Sequence, residues 1–250
     1  MSTPEIETAT ATLIRRLDAA DRLPGAAELR DHSYDLLRLR PGDPVADIGC
    51  GAGRAVAELA ARETRPLGVD PSTRMLDVAR TRWPALDFRL GTAESLPLPA
   101  ASITGYRADK VFHEIADPAA ALAEARRVLK PGGRLVLLGQ DWDAIIIDSD
   151  DPETTRAIVH GRADAVTNPR AARAYRTLLL DNGFDDITVE VRTPVLTDAD
   201  TLPMLTGLTA TASHLDVETV DRWIAEQTTR AHSGRLCVVV PLFIAAASAR

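Results

Sequence analysis

The sequence predicts an α/β fold, a single open sheet flanked by helices, and three observations carry that prediction. Short apolar runs of strand length alternate with stretches of helical apolar spacing along most of the chain, the pattern of a largely parallel sheet. The first apolar run, Val45-Ala46-Asp47-Ile48, feeds three glycines at alternate positions, Gly49, Gly51 and Gly53, and a helix-forming run follows from Ala55. Glycine at such a turn lets the backbone take φ > 0 and lets a ligand approach the main chain, while the helix start behind it offers unpaired N–H groups and the positive end of a dipole. Size agrees: 250 residues, 45% hydrophobic and 26% charged, suit one α/β domain with insertions or a small cap.

The elements follow in order. Ile6 to Ala20 has apolar residues at helical spacing and is broken by Pro24-Gly25; Ala26 to Leu39 forms a second helix, closed by Pro41-Gly42. These leader helices, within residues 1–40, are expected to cover one side of the glycine loop, with Tyr34 either facing the ligand or packing. Pro66 to Asp70 is a short strand ending in an acid, 21 residues past Gly49. A carboxylate there can accept from both hydroxyls of a ribose, or it serves as a helix-start acid favoured by the dipole. Ser72 caps the helix Thr73 to Arg82. Leu86 to Leu90 is the third strand, and Ser102 to Arg107 takes the fourth position by order alone, its strand propensity being poor. Asp117-Pro118 starts a helix that runs from Ala119 to Leu129 and stops at Lys130-Pro131-Gly132-Gly133; Arg134 to Gly139 is a buried strand.

Gln140-Asp141-Trp142-Asp143 ends that fifth strand. Ligands of open parallel sheets collect at the C-terminal strand ends, so these residues are expected to border the substrate space. Beyond them come a helix from about Pro152 to Ala165 carrying His160, a helix Ala171 to Asn182 stopped by Gly183, and a strand Ile187 to Val195. Two more helices, about Ala199 to Ala212 and Val217 to Ala231, precede a final strand Arg235 to Ala247. Residues 141–170 and 198–231 read as two cap insertions on one domain, 1–250.

Composition narrows the function. A net charge of −7 argues against a nucleic-acid partner, which needs a basic surface. Cys50 and Cys237 are the two cysteines, too few for a disulfide framework or a zinc site, and the acids Asp148, Asp150 and Asp151 read as a solvated loop, so no metal is expected. No signal-peptide pattern opens the sequence, and the apolar run 236–247 is too short for a membrane span and contains Pro241. A cytoplasmic protein without a membrane partner is expected.

Spacing discriminates between ligands. A dinucleotide fingerprint would need glycine at position 54, where Arg54 stands, and an acid, Asp47, precedes the first glycine by two residues. The stretch D-I-G-C-G-A-G resembles the first motif of class I S-adenosylmethionine-dependent methyltransferases. Gly91-Thr92-Ala93-Glu94-Ser95-Leu96-Pro97 resembles the G-D-A-E-x-L-P segment of the small-molecule members, with Thr92 replacing the commoner acid. Val111-Phe112-His113 through Asp117-Pro118 to Val128-Leu129-Lys130-Pro131-Gly132-Gly133-Arg134-Leu135 resembles a third block of the family, as in the ubiquinone and menaquinone biosynthesis methyltransferases. The resemblance covers roughly residues 30 to 140. It implies a Rossmann-like seven-stranded sheet of order 3-2-1-4-5-7-6, the last strand antiparallel, with N-terminal helices and a helical cap. It further implies S-adenosylmethionine as cofactor and S-adenosylhomocysteine as product. By position, Gly49, Gly51 and Gly53 admit the methionine part, Asp47 attracts its ammonium, Asp70 holds the ribose, and Ala93 and Glu94 flank the adenine. Cys50, Pro71, Met75 and Thr92 complete the expected cofactor set.

Methyl transfer from a sulfonium is an in-line displacement that alignment alone can accelerate strongly; a base is needed only where the acceptor must lose a proton. His113, His160 and Asp141 are the base candidates, against structural roles for each, and Tyr34, Trp142 and His160 are the candidate substrate contacts. The expected activity is methylation of a small, partly apolar metabolite on O, N or C. Two alternatives remain: a protein that binds S-adenosylmethionine or its product without transfer, and an NAD(P)-dependent oxidoreductase, which Arg54 and Asp47 oppose.

Overall fold

The computed structural model describes residues 14, 25–212 and 215–250, so the helix expected over Ile6 to Ala20 lies outside the described residues except for Ile14. In chain order the elements begin α1 (Ala26–Leu36), β1 (Pro44–Ile48), α2 (Arg54–Ala61), β2 (Arg65–Asp70), α3 (Thr73–Arg82) and β3 (Asp87–Leu90). Next come β4 (Ile103–Asp109), α4 (Pro118–Val128), β5 (Leu129–Gln140), β6 (Ile146–Ile147), α5 (Pro152–Asp164) and α6 (Tyr175–Asp181). The rest are β7 (Phe184–Arg192), β8 (Val195–Leu196), α7 (Leu202–Thr209), α8 (Val217–His232), β9 (Val238–Val239) and β10 (Leu242–Ala249).

Seven strands form the main sheet in the order β3-β2-β1-β4-β5-β10-β7. β10 runs antiparallel to both β5 and β7, and the other pairs are parallel. This is the expected 3-2-1-4-5-7-6 order with an antiparallel last strand. The pleat sorts the two faces, since alternate residues of a strand point to opposite sides. Ala46, Leu135 and Leu137 join Phe112, Leu122 and Tyr175 in the larger core; Val45, Val136 and Leu138 join Tyr34, Leu37 and Leu59 in the core beneath α1 and α2. Helix starts are capped as the sequence suggests: Ser72 Oγ accepts the Met75 N–H at 3.3 Å and Asp117 the Ala120 N–H at 3.0 Å, with Pro118 in the first turn.

The stretches after β5 and β7 pack on one another. β6, β9 and β8 form a small sheet in that order, and with α5, α7 and α8 they enclose a separate core around Ile158, Leu205, Trp223 and Val238. Trp223 Nε1 donates to Thr155 Oγ1 at 2.9 Å, which satisfies the buried indole.

Some boundaries differ from those the sequence suggests. The single final strand expected over Arg235 to Ala247 is two: β9 belongs to the small sheet and β10 to the main one, with Val240-Pro241 between them. Proline has no N–H to offer a ladder, and the break falls where the chain crosses from cap to sheet. The helix expected over Ala199 to Ala212 is shortened to Leu202–Thr209, and α6 starts at Tyr175 instead of Ala171. No helix among the described residues is long and apolar enough to cross a membrane.

Candidate functional site

The glycine turn forms a cradle. Gly49, Gly51 and Gly53 have φ of 68°, 52° and 82°, left-handed values that a side chain resists. A Cβ on Gly49 would lie 2.4 Å from Val111 Cγ2, and one on Gly53 2.6 Å from Phe88 Cζ, so these two glycines permit close packing within the protein. Gly51 differs: only Met75 Cε comes near, at 3.3 Å, which leaves its main chain open to a ligand. Asp70 is buried at the end of β2, its Oδ2 accepting the Gly51 N–H at 2.9 Å and its Oδ1 the Ser72 N–H at 2.8 Å. Each oxygen keeps a lone pair for a further donor. Pro71 is exposed beside it and Met75 is buried against Gly51. Thr92 and Glu94 are exposed on the loop after β3, and Ala93 is buried between them. An open glycine, a pinned carboxylate and this loop fit a nucleoside with a polar tail.

Two expected cofactor contacts are otherwise engaged. The Cys50 N–H donates to Val69 O at 3.1 Å and its carbonyl accepts the Gly53 N–H at 2.9 Å. Its thiol sits in a core with Val56, Leu76 and Phe88, where burial pushes it up and keeps it protonated. Asp47 is engaged by the protein through one of its oxygens. It is 3% exposed, and its Oδ1 accepts Arg107 Nη1 at 2.8 Å. Burial pushes this carboxyl up, and the guanidinium opposes the shift.

Arg107 is the site residue that sequence reading missed. It faces Asp47 across the β1–β4 pair, its Nη2 donates to Asp109 at 2.8 Å, and its Nε donates to Ser33 Oγ of α1 at 2.9 Å. Burial works against the Asp109 carboxylate, but Lys110 and Arg107 together hold it down at about 2. A charged residue in the middle of a central strand was the available signal. Tyr34 packs here as well: its ring lies under Arg107 and Arg62, and its hydroxyl donates to Glu58 at 2.7 Å. It is 2% exposed and does not line the cavity described next, which corrects its assignment as a substrate contact.

A cavity of about 670 Å³ opens over the C-terminal ends of β4 and β5. Its floor carries Asp109, Lys110, Gln140 and Trp142; α1 supplies Leu29 and neighbouring polar residues on one side; Leu196, Met204 and Leu208 close it from the cap. Lys110 takes φ 58° at the end of β4, its N–H donating to Leu138 O at 2.8 Å. The next residue, Val111, is the one packed at Gly49, so the segment Lys110-Val111 runs from the cavity floor to the glycine cradle.

Trp142 lines the cavity as expected, with the Arg162 guanidinium 4.6 Å from its ring centre and the His113 ring edge-on at 5.5 Å. His113 stands beside this floor without lining the cavity. Its Nε2 is 3.2 Å from Glu114, its Nδ1 is buried without a hydrogen-bond partner, and burial lowers its pKa, which keeps the imidazole neutral. The other two base candidates are corrected. Asp141 is 1% exposed and is taken by Arg173, whose Nη2 donates to Oδ1 at 2.7 Å and whose Nε donates to Oδ2, while Oδ1 also accepts the Asp143 N–H. A carboxylate so engaged shapes the strand end and does not line the cavity. His160 is exposed on α5, away from the cavity lining. Among the described residues there is no group of three or more His, Cys, Asp or Glu placed to hold a metal.

Comparison with known proteins gives the following. Residues 46–137 match a family model described as a methyltransferase domain. An uncharacterized 37.1 kDa protein in transposon Tn4556 of Streptomyces fradiae is 37% identical over 231 residues, 87% of this chain and 67% of that one. The demethylmenaquinone methyltransferase of Symbiobacterium thermophilum is 36% identical over 108 residues, 40% of this chain and 43% of that one. The match to an uncharacterized methyltransferase of Mycobacterium bovis likewise spans 40% of its length. Among solved structures, geranyl diphosphate C-methyltransferase from Streptomyces coelicolor superposes with a TM-score of 0.59, covering 90% of this chain and 76% of that one at 21% identity.

Proposed function

This chain belongs to the class I S-adenosylmethionine-dependent methyltransferases, and from that premise we propose that it methylates a small, partly apolar acceptor held in the 670 Å³ cavity. The observation that carries the proposal is the contact of Val111 with Gly49 next to Lys110 in the cavity floor. One segment thus borders both the cradle and the cavity. The cavity's size is that of a site for a drug-sized molecule.

S-adenosylmethionine supplies, when bound, an electrophilic methyl group on a sulfonium. The chain's own contribution is placement. Gly51 would admit the methionine part close to the main chain, and Asp70, fixed by the N–H groups of Gly51 and Ser72, would hold the ribose. Ala93 and Glu94 would border the adenine. Trp142 and the cap aliphatics would orient the acceptor and exclude water, and a pre-aligned pair can gain several orders of magnitude in rate from proximity alone. Where the acceptor must lose a proton, His113 is the candidate at hand, neutral and beside the floor.

Isothermal titration of the full chain with S-adenosylmethionine tests the donor half of the reading; an absence of binding heat at millimolar ligand would overturn it. Transfer of a labelled methyl group into extract metabolites tests the other half. Binding without any transfer would favour the non-catalytic alternative.

A further inference from the structure

Every basic side chain of the cavity wall among the described residues already lies beside a carboxylate. Arg30 Nε lies 2.9 Å from Glu58, and Lys110 Nζ lies 3.3 Å from Asp109, which also receives Arg107. His32 Nε2 and Arg192 Nη2 lie 3.0 and 3.2 Å from the same Glu190 oxygen. Glu28 and Asp109 add acid to the lining itself. A carboxylate or phosphate entering here would have to break one of these pairs and would leave its partner uncompensated. The remaining wall is largely aliphatic: Leu29, Ile145, Leu196, Met204, Leu208 and Val240.

Two floor residues carry buried polar atoms without a hydrogen-bond partner, Gln140 Oε1, which needs a donor, and Trp142 Nε1, which needs an acceptor. Such atoms are costly where no partner reaches them. Both residues line the cavity, so a molecule seated there is the adjacent source of partners, reached by side-chain rotation. The uncharged group that donates and accepts through one atom is a hydroxyl.

We infer that the cavity selects an uncharged molecule with an apolar body and a hydroxyl head, the hydroxyl donating to Gln140 and accepting from Trp142. Naming that molecule the methyl acceptor rests on the function proposed above; the binding preference itself does not.

The test is titration of the full chain, saturated with S-adenosylhomocysteine, with three probes of equal tail: 4-pentylphenol, 4-pentylanisole and 4-pentylbenzoate. The phenol is expected to bind about tenfold or more tighter than the anisole, which cannot donate, and than the benzoate, which is charged. Gln140→Leu is expected to remove the preference of phenol over anisole without lowering the melting temperature, because it deletes an unpaired buried atom. Trp142→Phe keeps an aromatic side chain, loses the N–H, and is expected to weaken the phenol as well. Benzoate binding as tight as phenol, equal phenol and anisole affinities, no phenol binding, or an unchanged preference in Gln140→Leu each overturns the inference. Failure of S-adenosylhomocysteine to bind, with the phenol preference intact when the probes are titrated alone, would instead sink the methyltransferase reading and leave the pocket assignment standing.

Discussion

Replacing Arg107 by leucine removes the cation in contact with Asp47. The guanidinium is 2% exposed, with Asp47 and Asp109 each at 2.8 Å and Ser33 at 2.9 Å. Asp109 keeps Lys110 at 3.3 Å, whereas Asp47 has no other cation in contact among the described residues. Removing one partner of a buried pair costs about 3–5 kcal/mol. At roughly 2–4 °C per kcal/mol for a chain of this size, the melting temperature of Arg107→Leu should fall by roughly 6–20 °C at neutral pH. The pH dependence carries a sign. A buried carboxylate without its cation has a folded-state pKa above its unfolded value. Its penalty is therefore present at high pH and is relieved as pH falls through the folded pKa, and the deficit of Arg107→Leu should narrow as the pH is lowered from neutral toward the ordinary carboxylate range. The companion Asp47→Leu/Arg107→Leu removes both charges and should recover much of the loss, since apolar replacement of a buried pair is often neutral or stabilising. Thermal melts by circular dichroism across that pH range check all three statements. A single variant that melts within about 2 °C of the parent, or whose deficit stays constant with pH, would refute the reasoning.

Other expectations follow from the same geometry. In the unmodified protein the Asp109 carboxylate, held at about 2 against an ordinary 3.8, contributes stability above roughly pH 4 that is lost as pH falls toward 2; an acid titration of the melting temperature reads this, and Lys110→Met should move the loss to higher pH. Gly49→Ala combines a left-handed backbone, about 1–2 kcal/mol, with a clash at Val111 worth about 1–3 kcal/mol, whereas Gly51→Ala meets only the end of Met75. Gly49→Ala should therefore melt lower, and equal melting temperatures would exclude the packing argument. Asp70→Ala should weaken S-adenosylhomocysteine by about 10–100-fold in calorimetry, and unchanged affinity would remove Asp70 from the ligand site. Asp141→Ala should lower stability by about 1–3 kcal/mol, because Arg173 and the Asp143 N–H lose their acceptor, with ligand affinity preserved; lost activity at an unchanged melting temperature would return Asp141 to the candidate bases.

The main sheet was legible because its signals are local. The glycine turn, the acid at Asp70, the Asp117-Pro118 helix start and the Gly183 stop are each set by a few neighbouring residues, and the strand order came with the family resemblance they carry. Arg107 was not legible, because its meaning lies in the register that sets it opposite Asp47, a relation between strands 60 residues apart. Nothing local says that Asp47 has a protein partner. Asp141 and Trp142 were both placed at the end of the fifth strand, yet one turns to Arg173 and the other to the cavity, a choice made by the cap. His160 is a different case. The buried residues of α5 are Thr154, Thr155, Ile158, Val159 and Ala163, a helical face that excludes position 160, so the spacing already pointed it outward.

The placement of β10 between β5 and β7 has a consequence during synthesis. β7 pairs only with β10 in the sheet, and β10 begins about 50 residues later. At about 5–20 residues per second the nascent strand waits roughly 3–10 s for its partner. Throughout that interval it presents Val189 and Val191 with both backbone edges unpaired, a template for pairing with other chains. Asp185, Asp186, Glu190 and Arg192 punctuate the same strand, and charges so spaced discourage such pairing. The charges that make ion pairs in the finished sheet thus also protect the chain before the sheet is complete.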